Sequence, residues 1–217
     1  DAPTIIARLL HGIRGSDANG AALGLSQAEA HMLAHHVPHN LTAYRLTRLA
    51  EWSLPQYQLD RRFVSLSLLV DLGEESRGMR WLAEPQRFDD LADILDTTLH
   101  PAFVVLGAPG GGKSTLLRHL ELTLNARALR DETDVVTWYV PLNQFRLSGE
   151  DPEPEAIERW FEARWRDRYP ALPPLAEIRR QGRLVLLLDG LNEIPHKDAA
   201  EYRRLVIAWR HFVHVIL

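Results

Sequence analysis

The 217 residues contain no cysteine. That excludes disulfide staples and any thiolate metal centre, and it fits a reducing compartment, so a cytoplasmic location is expected. Lysine is almost missing as well. Only Lys113 and Lys197 occur, and every other basic side chain is arginine. No apolar run approaches the roughly 20 residues of a membrane span, and no basic-then-apolar leader follows Asp1. The net charge of −4 gives no general attraction to nucleic acid or to an anionic bilayer. Neither is expected as a direct partner. The chain does not open on methionine, and it closes on a strand-like run without a turn. Both ends are therefore expected to be cuts in a longer protein.

One of the two lysines stands in an informative place. Phe103-Val104-Val105-Leu106 reads as a strand, and Leu116 to Leu124 reads as a helix. Between them lie Gly107, Ala108, Pro109, Gly110, Gly111, Gly112, Lys113, Ser114 and Thr115. This is a complete G-x-x-x-x-G-K-[ST] pattern in the strand–turn–helix context that gives it meaning. Backbone N–H groups must wrap a phosphate here, and side chains on the inner wall would block that approach. Gly110, Gly111 and Gly112 remove them and permit positive φ. The helix N-terminus adds free N–H groups and partial positive charge. Lys113 is expected to meet the β- and γ-phosphates, and the Ser114 hydroxyl to ligate Mg²⁺.

Upstream, Ile5, Ile6, Leu9, Leu10 and Ile13 mark a short amphipathic helix within residues 1–15, and 15–20 read as a loop. Ser26-Gln27-Ala28-Glu29 is a capping box, so a helix is expected from there to about Val37. Asn40 caps the next, which runs through Trp52 to a stop before Pro55. His31 and His35 are spaced i, i+4, as metal ligands on one helix face are. With His36 and His39 they lack a cysteine and have only Glu29 as a near acid, so solvated or hydrogen-bonded imidazoles are expected. Arg62 to Val70 alternates as a strand does, and Asp89 or Asp90 opens a helix through Leu95.

Downstream, Val135–Val140 reads as a strand, 147–154 as a surface loop, 155–168 as an amphipathic helix and 175–181 as a short helix ended by Gly182. Arg183 to Leu188 is a continuous apolar run that ends in Asp189. Such a run suits a parallel strand buried on both faces. Open α/β sheets place ligands at the carboxyl ends of their strands. Asp189 is thus a candidate Mg²⁺ residue, and Glu193 a candidate to orient or deprotonate a water.

Residues from about 60 to 217 resemble the NACHT domain of the STAND class of P-loop NTPases. The resemblance rests on Gly107–Thr115, on Tyr139-Val140-Pro141-Leu142, and on Leu186-Leu187-Leu188-Asp189-Gly190-Leu191-Asn192-Glu193. It departs at Asn192, where the family more often has Asp, which puts the rate of hydrolysis in question. The resemblance implies an α/β fold with a parallel sheet of the additional-strand type, flanked by helices. A helical segment (1–56) and a lead-in (57–100) precede the nucleotide-binding part (101–217). It implies ATP or ADP with Mg²⁺ as ligands, and nucleotide-dependent homo-oligomerisation that controls an effector, in innate immune or anti-phage defence. Effector and sensor regions would lie outside this chain. It also implies that Phe212–Leu217 is the strand between the two Walker strands. As a fragment, the chain is expected to hydrolyse ATP weakly or not at all. Two other readings stay open: a small-molecule P-loop kinase, and a non-catalytic nucleotide-binding interaction module.

Overall fold

The computed structural model describes residues 2–14, 24–57, 68–69, 87–88, 91–97, 102–146 and 154–216. Helix α1 covers Ala2–Arg14 and α2 covers Gln27–Ala34. The capping box sets the start of α2: Ser26 Oγ accepts from the Glu29 N–H, and the Glu29 carboxylate accepts from the Ser26 N–H. Helix α2 ends at Ala34, with His35 as its cap, a turn earlier than Val37. Helix α3 covers Leu41–Glu51, and Asn40 Oδ1 accepts from the Ala43 N–H. Strands β1 (Leu68–Leu69) and β2 (Arg87–Phe88) pair antiparallel, and α4 follows at Leu91–Thr97. The rest of the strand expected over 62–70 lies outside the described residues, as do the loops expected at 15–20 and most of 147–154.

Helix α5 spans Lys113–Arg130 and strand β3 spans Val136–Pro141. Helices α6 (Pro154–Arg168) and α7 (Leu175–Arg180) lead to strand β4 (Leu184–Asp189), and α8 (Ala199–Ile216) closes the described chain. Strands β3 and β4 are parallel, in a register from Val136 opposite Leu184 to Pro141 opposite Asp189.

The alternation of strand side chains divides the core into two faces. Val136, Trp138, Val140, Leu184, Leu186 and Leu188 point toward α6 and α8, where Phe161, Trp165, Trp209 and Phe212 fill the space. Tyr139, Val185 and Leu187 point the other way, onto Leu116 and Leu120 of α5 and Ile94 of α4. The result is an α/β layered core with helices on both sides of a parallel pair.

Helix α3 closes the outer edge of β3, where an unpaired strand would expose its backbone groups. Arg45 Nη2 donates to the carbonyls of Thr133 and Val135, at 2.5 and 2.9 Å, and the Tyr44 hydroxyl donates to the carbonyl of Thr137 at 2.8 Å. The next outward group, the Tyr139 N–H, donates to Glu121 of α5 at 3.1 Å. Glu121 is fully buried and also accepts from Arg48 Nε and Nη2, each at 2.9 Å, and from Trp52 Nε1 at 2.5 Å.

Two expectations are corrected. Residues 212–216 are not a strand; they are the last turns of α8. Leu205, Ala208, Trp209 and Phe212 are buried at i, i+3, i+4 and i+7, so the helical period wins over the β-branched composition of the tail. Residues 103–106 join no strand ladder among the described residues. Their burial still alternates: Phe103 and Val105 pack with the Leu187 side of the core, whereas Val104 and Leu106 are 82% and 87% exposed.

The buried pair gives a direct test. Arg48→Ala leaves the Glu121 carboxylate inside with only its Trp52 and Tyr139 donors. It should destabilise the fold by about 3–5 kcal/mol in urea titration. A loss under about 1 kcal/mol would show that the ion pair is not structurally required.

Candidate functional site

Helix α5 begins in an unusual way for a helix whose first turn is solvent-accessible. Its N-cap is Gly112, in the left-handed region at φ 78°, and no side chain caps it. The first N–H groups are therefore not taken up by a capping side chain. Gly110 is also left-handed, at φ 74°. At Gly111 a Cβ would sit 3.0 Å from the Ala108 carbonyl oxygen, while the Gly111 N–H donates to that same oxygen. The loop is thus a tight turn in which a side chain at Gly111 would press on the Ala108 carbonyl, and it presents backbone to solvent. This is the cradle that phosphate oxygens require.

Lys113 lies within this cradle. Its Nζ donates to the carbonyls of Gly107 at 2.8 Å and Ala108 at 2.9 Å. The ammonium is held at the mouth of the loop by acceptors that an anion can replace. Ser114 and Thr115 follow in the first turn of α5, partly buried. Gly107, Ala108 and Pro109 form the exposed entry to the turn. A nucleotide phosphate and its cation fit these residues: the donors are backbone N–H groups and one ammonium, and Ser114 offers a hydroxyl.

Asp189 ends β4. By the strand alternation it shares a side with Leu187 and Tyr139, which is the side covered by α5. Asp189 is therefore on the face of the sheet that α5 covers. The Tyr139 hydroxyl donates to Asp189 Oδ2 at 2.6 Å. Burial, then the hydrogen bond and charge of Asp189, push the Tyr139 hydroxyl well above the usual tyrosine range. It therefore remains a protonated donor at ordinary pH.

Beyond Asp189 the chain turns through Gly190, at φ 76°, into a 3₁₀ turn over Leu191–Glu193. The Glu193 N–H donates to the Gly190 carbonyl at 2.8 Å, and the Glu193 carboxylate folds back on Gly190. A Cβ on Gly190 would meet Glu193 Oε2 at 3.1 Å. Asn192 is exposed on the same turn.

The histidines of the N-terminal helices gather in pairs. The His31 and His35 ring centroids are 4.2 Å apart, and His35 Nδ1 lies 2.8 Å from the His31 carbonyl oxygen. Among the described residues no group of three or more histidines and carboxylates is placed to hold a metal ion.

Sequence reading did not single out Tyr139 as a partner of Asp189, nor Glu121 as a buried acid. One signal was there for Glu121. It falls in register with Leu117, Leu120 and Leu124 on the apolar side of α5, where a carboxylate needs partners.

The family model of the NACHT domain matches residues 102–211. No curated protein and no solved structure matches the chain.

Gly190→Ala should place a side chain in the left-handed region and press it on Glu193. Unfolding by denaturant should show a loss of roughly 1–2 kcal/mol. Unchanged stability would mean that the turn after Asp189 adapts freely.

Proposed function

This chain belongs to the NACHT domain family, and we propose that it is the nucleotide-binding module of a STAND-type signalling switch. The observation that carries the reading is the loop 107–112: two left-handed glycines opening an uncapped helix, with Lys113 held across the loop mouth. ATP or ADP is the ligand. Bound phosphates take the N–H groups at the start of α5, and Lys113 exchanges its two carbonyl acceptors for phosphate oxygens. Ser114 and Asp189 would hold Mg²⁺, which neutralises phosphate charge when bound. Glu193 orients the attacking water, and for that its carboxylate turns away from Gly190. Hydrolysis is slow in this stretch of chain alone, and Asn192 beside Glu193 weakens the local negative field.

In this reading ADP holds a closed monomer. Exchange for ATP permits homo-oligomerisation and releases an effector activity carried by other segments, in the cytoplasm, in an immune or anti-phage role. The additional-strand sheet belongs to the same proposal. A strand from outside α8 would lie between residues 103–106 and β4. Two features support it: residues 103–106 join no strand ladder among the described residues, and Val104 and Leu106, which a neighbouring strand and its covering helix would bury, are solvent-exposed.

Lys113→Ala should weaken ATP binding in calorimetry by about 1.5–3 kcal/mol, the worth of hydrogen bonds to a charged group. Unchanged affinity would remove the loop from phosphate binding. Glu193→Gln should keep ATP affinity while lowering the turnover number, followed as phosphate release. Unchanged turnover would remove Glu193 from the hydrolytic role.

A further inference from the structure

Tyr139 is held at more points than packing requires. Its N–H donates to Glu121, at 3.1 Å, on the outer edge of β3. Its ring meets Trp52 edge-on, with centroids 5.4 Å apart. The Arg118 guanidinium stands over the ring, 5.7 Å from its centroid. The hydroxyl then donates to Asp189 Oδ2 at 2.6 Å. Tyr139 faces Leu187 in the ladder, and Asp189 lies two residues further along β4 on the same side of the sheet. The bond is therefore a diagonal reach across two strands, a span that an aromatic side chain can cover.

The acceptor is the informative part. A buried tyrosine needs some partner for its hydroxyl, and backbone carbonyls commonly serve, as the Thr137 carbonyl does for Tyr44. Tyr139 instead engages a half-buried carboxylate at the carboxyl end of the strand. One oxygen, Oδ2, is engaged and its direction set by the Tyr139 hydroxyl, and among the described residues Oδ1 has no hydrogen-bond donor. We propose that Tyr139 is the positioning residue that sets the Asp189 carboxylate for divalent-cation binding. It is anchored for this by Glu121 on one side and Arg118 on the other. The inference rests on the reading of Asp189 as the Mg²⁺ residue of a nucleotide site. Groups that orient a metal-binding carboxylate typically change cation affinity by tenfold or more when lost.

The test is nucleotide affinity by calorimetry, with ADP, in Mg²⁺ and in EDTA. Tyr139→Phe keeps the ring against Trp52 and Arg118 and removes only the hydroxyl. Its affinity in EDTA should equal that of the parent protein, and a Mg²⁺ titration should show the cation binding about tenfold more weakly. Tyr44→Phe is the control. It removes a hydroxyl that bonds the backbone of β3 away from Asp189, so it should lower the unfolding midpoint and leave the Mg²⁺ titration unchanged. An unaltered Mg²⁺ titration in Tyr139→Phe overturns the proposal. So does tighter cation binding, which would make the hydroxyl a competitor of the metal, and so does an equal loss in Tyr44→Phe, which would reduce the effect to general destabilisation. If the parent protein itself binds ADP equally with and without Mg²⁺, the nucleotide-site reading fails first and this inference falls with it.

Discussion

The carboxylate of Glu121 is the fixed point of this structure. It is fully buried within the P-loop helix and accepts four hydrogen bonds: two from Arg48, one from Trp52 and one from the backbone of Tyr139. An ionised carboxylate so deep in the protein is tolerated only when donors surround it. Those donors come from α3, from the residue that follows α3, and from β3. Glu121 thus requires α3, the P-loop helix α5 and strand β3 to be assembled together. Arg48 also pairs with Glu51, which in turn accepts from Arg168 of α6 at 2.8 Å, so the network reaches the other side of the sheet.

The candidate site inherits its geometry from that assembly. The loop 107–112 sits at the start of the helix that carries Glu121. Tyr139, whose N–H Glu121 accepts, donates its hydroxyl to Asp189. The two parts of the candidate site, loop and strand-end acid, are therefore both linked to one buried carboxylate. Helix α3 has a second part in this. With Arg45 and Tyr44 it occupies the carbonyls on the outer edge of β3. It covers part of the edge at which another strand could pair.

Much of this was legible in the sequence because the signals are local. The capping box at Ser26 and Glu29, the Asn40 cap and the glycine spacing before Lys113 each act within a few residues, and each forms as the pattern requires. The apolar run into Asp189 likewise becomes β4. What the sequence hid is non-local. Arg48 and Glu121 are 73 residues apart, and Tyr139 and Asp189 are 50 apart. No spacing rule joins either pair. The tail misled for a different reason. Val213, Val215 and Ile216 have strand-like composition, but Leu205, Ala208, Trp209 and Phe212 already carry a helical stripe into the aromatic core, and burial of that stripe decides the outcome.

If Glu121 welds these elements, they must open as one cooperative unit. Native-state hydrogen exchange measures this without any ligand. The account predicts one shared opening free energy for the protected amides of α3, α5 and β3. Amides of residues 41–51 that open at clearly lower free energy, while 113–130 and 136–141 stay closed, would contradict it.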